Sequence, residues 1–89
     1  MLIRSQNKQR IFNMDTITHI RADEDNDICV YFQGQFYIIG KYSNEEKAIK
    51  VLDMIEEFYT KPVICDVFSD NEKFIYSNLV FHMPQDNEV

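Results

Sequence analysis

The sequence of 89 residues contains only two Gly, two Pro and two Cys, and it has no Trp. So few Gly exclude a Gly-rich phosphate-binding loop, and so few Gly and Pro exclude a low-complexity linker. No apolar run approaches the roughly 20 residues that a membrane-spanning helix needs. The first residues, MLIRSQNKQR, lack the apolar stretch of a signal peptide. We therefore expect a cytoplasmic protein with no membrane association, in which Cys29 and Cys65 stay reduced. A Cys29–Cys65 disulfide is the less favoured alternative, because the cytosol is reducing.

The composition nevertheless contains enough apolar side chains for a folded domain. Hydrophobic residues make up 45% of the chain, which has seven Phe and five Tyr. Disordered chains have few aromatics, so we expect a single domain over 1–89, with 84–89 as a flexible polar tail. The formal net charge is −6. This charge disfavours direct nucleic-acid binding, which depends on Lys and Arg, and it suits a basic protein partner or solubility alone.

The clearest predicted element is an amphipathic helix over about 44–60. Ser43 and Glu46 have the spacing of a capping box, and Pro62 prevents the helix from continuing beyond Lys61. Charged residues occupy one side of this helix. The other side forms an apolar stripe at helical spacing: Ala48, Val51, Leu52, Ile55, Phe58 and Tyr59.

The remaining sequence predicts strands. The alternation is best over 27–33, and Gly34-Gln35 is a two-residue hairpin connection to a partner strand at 36–42. The other predicted strands are 2–5, 10–13, 16–22, 63–68 and 74–83. We therefore predict an α+β fold, in which a curved antiparallel sheet or half-barrel of about five to seven short strands packs on one helix.

Several predicted strands are apolar on both faces, most clearly the strand at 74–83. Because one helix covers only one face of a sheet, the other face must be closed by curling of the sheet or by a second copy of the chain. A homodimer and a curled monomer both stay open. Aromatic residues are favoured at the centre of interfaces. The candidate interface residues are therefore Tyr31, Tyr37, Phe74 and Tyr76.

The acidic run after residue 22 resembles a calcium loop only in part. Asp23, Asp25 and Asp27 match the first, third and fifth ligands of an EF-hand loop. Ile28 stands where that loop needs Gly, and Gly34 stands where it needs Glu. We therefore interpret the run as a solvated hairpin turn and expect no metal ligands there.

Other candidate chemistry is equally incomplete. His19 and His82 lack the closely spaced ligand pairs of a zinc site, even with the two Cys. A small enzyme could use Cys65 with His82, but nothing marks Cys65 as an activated thiol. We expect no catalytic residue and no cofactor. Basic residues near the N-terminus could contact an anion or form a charged edge that blocks strand addition: Arg4, Lys8 and Arg10.

Four stretches resemble a group of small uncharacterised proteins of Firmicutes bacteria, their phages and mobile elements. They are LIRSQ at 2–6, NMDTI at 13–17, IGKYSNEEKAIKVLDMI at 39–55 and FHMPQDNEV at 81–89. The resemblance implies a bacterial cytoplasm and a mobile-element origin, and it brings no known site residues. We favour a non-enzymatic protein-interaction module. The alternatives are an acidic inhibitor that occupies a host nucleic-acid-binding protein and, least favoured, an enzyme using Cys65 and His82.

Overall fold

The computed structural model describes residues 1–60 and 80–89. The strands within them are β1 Leu2–Arg4, β2 Ile11–Asn13, β3 His19–Ala22, β4 Asp27–Phe32, β5 Gln35–Lys41 and β6 Val80–His82. The helix α1 spans Glu45–Thr60, and two short 3-10 turns occupy Met14–Thr16 and Asp86–Glu88. This confirms the predicted α+β class. The predicted helix stop at 61–62, the strand at 63–68 and most of the strand at 74–83 lie outside the described residues.

The described strands form two three-stranded sheets, which departs from the single antiparallel sheet that the sequence suggested. The first sheet has the order β2-β1-β6 and the second has the order β3-β4-β5. Neighbouring strands are antiparallel except for β1 and β6, which pair in parallel. Only short connections force an antiparallel pairing. Since β6 follows the helix and lies far from β1 in the chain, its direction is free of that constraint.

The hairpin between β4 and β5 turns one residue earlier than predicted. Phe32 pairs with Gln35, so the two-residue connection is Gln33-Gly34. Both of its residues have positive φ, 50° at Gln33 and 78° at Gly34. A two-residue turn of this type requires a positive φ at both positions, and Gly supplies it at no steric cost.

The buried core joins both sheets to the helix. The first sheet contributes Ile3 and Phe81, and the second contributes Ile28 and Val30. The helix buries Ala48, Val51 and Ile55, while Leu52 of the predicted stripe is only partly buried. Within residues 1–60 and 80–89, no helix is long and apolar enough to cross a membrane.

The N-terminus of α1 is capped differently from the prediction. The Asn44 side chain accepts a hydrogen bond from the Lys47 amide at 2.8 Å, which makes Asn44 the capping residue. The Ser43 amide instead donates to Oδ1 of Asp86 at 2.8 Å. This bond, together with the nearby Lys47 ammonium at 3.5 Å from Oδ2, holds the pKa of Asp86 below its ordinary value.

Residues 84–89, expected to form a flexible tail, lie against the domain. The Tyr42 hydroxyl donates to the Pro84 carbonyl at 2.8 Å, and Nε2 of Gln85 donates to the Gln6 carbonyl at 2.8 Å. Partners on two distant parts of the chain thus hold this segment in place, and composition alone does not indicate such partners.

The helix offers a matched pair of Ile residues for a stability test. Ile55 is 5% exposed and Ile49 is 44% exposed. We expect Ile55→Ala to lower the free energy of unfolding by about 2–5 kcal/mol, because it leaves a cavity in the core. Ile49→Ala should change it by only about 0.5 kcal/mol. Denaturant unfolding measures both values, and equal losses would contradict the helix orientation described here.

Candidate interaction surface

The register of the second sheet sorts its side chains onto two faces. Residues that pair directly across strands point to the same side of a sheet. His19, Tyr31 and Phe36 pair across β3, β4 and β5, so they share one face. Val30 pairs with Tyr37 and is fully buried in the core. The face that carries His19, Tyr31 and Phe36 is therefore the outer face of this sheet.

We call His19, Tyr31 and Phe36 the aromatic row. The His19 ring stacks on the Tyr31 ring, with 4.1 Å between centroids and 17° between planes. Tyr31 and Phe36 are 5.9 Å apart and tilted by 32°. The Arg21 guanidinium lies 6.0 Å from the Tyr31 centroid, at the limit of cation–π attraction. These contacts fix the positions of the three rings across the full width of the sheet.

The outer face is partly open to solvent. Phe36 is 58% exposed and Ile38, on the same face of β5, is 42% exposed. Adjacent large apolar side chains at a surface indicate a contact site more strongly than scattered single ones do. The aromatic row and Ile38 are therefore the candidate interaction surface.

The predicted interface residues do not lie on one surface. Tyr31 belongs to the aromatic row, whereas Tyr37 lies on the opposite face, where its ring is 5.3 Å from the Arg10 guanidinium. Phe74 and Tyr76 lie outside the described residues. Tyr31 and Tyr37 therefore cannot belong to one continuous patch on this sheet, and the part of each residue in an interface stays a prediction.

The sequence itself contains a signal that places Tyr31 and Tyr37 on opposite faces. A two-residue hairpin connection pairs odd-numbered with even-numbered residues, whichever neighbouring dipeptide forms the turn. Tyr31 must then share a face with Phe36 and Ile38, and Tyr37 must lie on the other side. The contribution of His19 needed the pairing of β3 with β4, which local sequence does not specify.

The acidic run forms a turn between β3 and β4. Carboxylate oxygens of Asp23, Asp25 and Asp27 lie within 4.8 Å of one another. Oδ1 of Asp23 accepts hydrogen bonds from the Asp27 amide at 3.0 Å and from the Asp25 amide at 2.9 Å. These two bonds, the one from Asp27 most strongly, lower the pKa of Asp23. Burial and the Asp23 charge raise the pKa of Asp27. The hydrogen bonds of Asp23 are those of a hairpin turn, in agreement with the solvated turn predicted from the sequence.

Cys29, His19 and His82, the thiol and imidazole residues that the structure describes, lie in different environments. Cys29 is a buried free cysteine whose Sγ lies 3.6 Å from Oδ2 of Asp23. Burial, and then the Asp23 charge, raise the pKa of Cys29 to about 11, which keeps it protonated. His19 is part of the aromatic row, and His82 is exposed on β6 in the other sheet. Cys65 lies outside the described residues.

Acidic side chains gather around Ile49 on α1, which is 44% exposed. Two shallow depressions flank this residue, and two basic side chains, Arg21 and Lys50, also line them. We call the apolar centre and its acidic surroundings the Ile49 patch. Its members come from the β3–β4 loop and from the helix: Ile49, Asp23, Glu24, Glu45, Glu46 and Asp53.

Comparison with protein-family models, with curated protein sequences and with solved structures finds no match for this chain. Its function has to be argued from the chemistry of its own surfaces. The resemblance to small proteins of Firmicutes and their mobile elements stays a prediction.

The burial of Cys29 generates a test of how accessible and how protonated its thiol is. In a Cys65→Ser variant, Cys29 is the sole thiol, and we expect it to react with a disulfide reagent far more slowly in the native protein than after denaturation. Its native reactivity should rise with pH toward about 11, because only the thiolate attacks. Absorbance of the released thiolate measures the rate. Rapid native reaction at neutral pH would contradict a buried, protonated thiol.

Proposed function

We propose that the chain is a non-enzymatic protein-interaction module of the bacterial cytoplasm, with a mobile-element origin, and that it pairs with a second copy through its outer face. The observation that carries this proposal is the exposure of Phe36 and Ile38 directly beside the stacked rings of His19 and Tyr31.

The energetics of the outer face favour association. Covering exposed apolar surface removes it from water, and the favourable free energy of this step is roughly 25 cal/mol per Å² of apolar surface. Rings that are already stacked lose little conformational entropy on binding, so more of that gain appears as affinity. Arg21 beside Tyr31 adds a residue type that is enriched at interface centres.

The aromatic row also has the symmetry that a homodimer needs. Tyr31 lies on the middle strand, between His19 on β3 and Phe36 on β5. A two-fold axis along β4 therefore places Tyr31 against Tyr31 of the second copy, and His19 against Phe36. A single self-complementary patch then serves both copies.

The size of the outer face predicts a weak dimer. Its central strand, β4, has six residues and is therefore about 20 Å long, with neighbours ~4.8 Å away on each side. Such a face covers a few hundred Å², which is less than the ~800 Å² per partner of a standard interface. The dimer should therefore form at micromolar to millimolar concentration.

Light scattering over a concentration series tests this proposal. The mass should rise from the single-chain value of 10.7 kDa toward twice that value. Phe36→Ser should weaken dimerisation by roughly ten-fold or more, because aromatic anchors dominate interfaces. Tyr59→Ser is the matched control, since Tyr59 is 56% exposed on the helix and Phe36 is 58% exposed on the outer face.

Two outcomes would count against the dimer. A wild-type mass that stays at the single-chain value up to millimolar concentration would exclude self-association through this face. Equal weakening by Phe36→Ser and Tyr59→Ser would show that the contact is not specific to the aromatic row. Circular dichroism of each variant separates loss of association from loss of folding.

A second candidate function is supported by the Ile49 patch. Five carboxylates from two elements surround one apolar side chain. An apolar centre with an acidic rim is complementary to a basic surface of the kind that binds nucleic acid. We therefore keep the acidic inhibitor, which occupies a host nucleic-acid-binding protein, as the alternative proposal.

A competition experiment tests the inhibitor. Host proteins are retained on immobilised DNA, and the chain should release one of them in a dose-dependent and salt-sensitive manner. Glu24→Lys with Asp53→Lys should abolish the release, because both residues belong to the Ile49 patch. Glu56→Lys with Glu57→Lys changes the net charge equally but lies outside the patch, and should retain the release. Equal loss in both variants would mean that net charge alone acts.

A further inference from the structure

A groove opens beside Phe32 and Tyr37, which lie on the face of the second sheet opposite the outer face. It lies between β2 and the end of the β4–β5 hairpin and has a volume of about 450 Å³. Most of its described walls are apolar: Ile11, Phe12, Ile17, Phe32 and Tyr37. Its volume falls in the range of about 300–1,000 Å³ that small-molecule sites occupy.

Arg10 is the only charged side chain among the described residues that line this groove. Its guanidinium lies 5.3 Å from the Tyr37 ring centroid, so the ring holds it along the wall. Its backbone is fixed as well, because the Arg10 amide donates to Oγ of Ser5 and its carbonyl accepts the Ser5 amide. The described part of the chain offers the guanidinium no carboxylate partner.

Polar groups of three other residues in the described lining, Asn13, Thr16 and Tyr37, are engaged locally. Oδ1 of Asn13 accepts the Asp15 amide at 3.0 Å, and the Thr16 hydroxyl donates to the Asn13 carbonyl at 2.8 Å. These bonds stabilise the 3-10 turn after β2. Arg10 therefore supplies the main polar interaction available to a ligand, and that interaction selects a negative charge.

We propose that this groove, the Arg10 groove, binds a small apolar carboxylate, with the apolar body against Phe12, Phe32 and Tyr37 and the carboxylate on Arg10. A guanidinium forms two parallel hydrogen bonds with a carboxylate, a geometry that fixes the orientation of the ligand. Aromatic walls favour a ligand with a ring, which packs edge-to-face or offset against them. The proposal is independent of the homodimer and of the inhibitor.

Titration of the full chain with 3-phenylpropionate, followed by amide chemical shifts in ¹H–¹⁵N spectra, tests the site. The shifts should concentrate at residues 10–17 and around Phe32 and Tyr37. The uncharged amide of the same acid should bind at least roughly ten-fold more weakly, because it lacks the charge that strengthens a hydrogen bond to Arg10. This comparison uses only the wild-type protein.

Arg10→Gln should remove the preference for the acid over its amide while leaving the amide affinity unchanged. Arg21→Gln is the matched control, since it removes one guanidinium from the outer face and should preserve the preference. Equal binding of acid and amide to the wild type, or shifts outside the groove, would overturn the proposal. Binding confined to a peptide that ends in phenylalanine, with none of the free acid, would overturn it in favour of a peptide site.

Discussion

In the part of the chain that the structure describes, one helix shields the inner faces of two small sheets from water. Ala48, Val51 and Ile55 do this by packing into a core that both sheets share, and burial of that apolar surface is the main stabilising term. Among the described residues, the outer face of the second sheet is buried at Cys29 but leaves Phe36 and Ile38 exposed. The candidate interaction surface is this exposed part of the face.

Gln6, near the N-terminus, limits how the second sheet can associate. Gln6 lies along the edge of β5, where its amide donates to the Ile39 carbonyl at 2.7 Å. Its side chain accepts the Lys41 amide at 2.9 Å and donates to the Lys41 carbonyl at 3.0 Å, as a neighbouring strand would. This part of the edge is thereby closed to strand addition. Association through faces is favoured over association through this edge.

The sequence predicted the structural features that depend on interactions between residues close together in the chain. The helical stripe, the alternation in β4 and the α+β class could be read from the sequence because each depends on residues a few positions apart. The hydrogen bond from the Ser43 amide to Asp86 could not, since the two residues are 43 positions apart in the chain. The same limit applies to the parallel pairing of β1 with β6. The opposite facing of Tyr31 and Tyr37 was within reach, because the parity of a two-residue hairpin implies it.

The distribution of charge separates the proposed surfaces. The aromatic row contains no carboxylate, but the acidic turn at 23–27 lies at the other end of the same sheet. Two copies with a net charge of −6 each repel one another, and salt weakens that repulsion beyond a distance of about 10 Å. Added salt should therefore strengthen contact through the aromatic row. It should weaken binding of a basic partner to the Ile49 patch, because attraction there is screened instead. The two surfaces thus respond to ionic strength with opposite signs, since hydrophobic burial drives one and charge attraction drives the other.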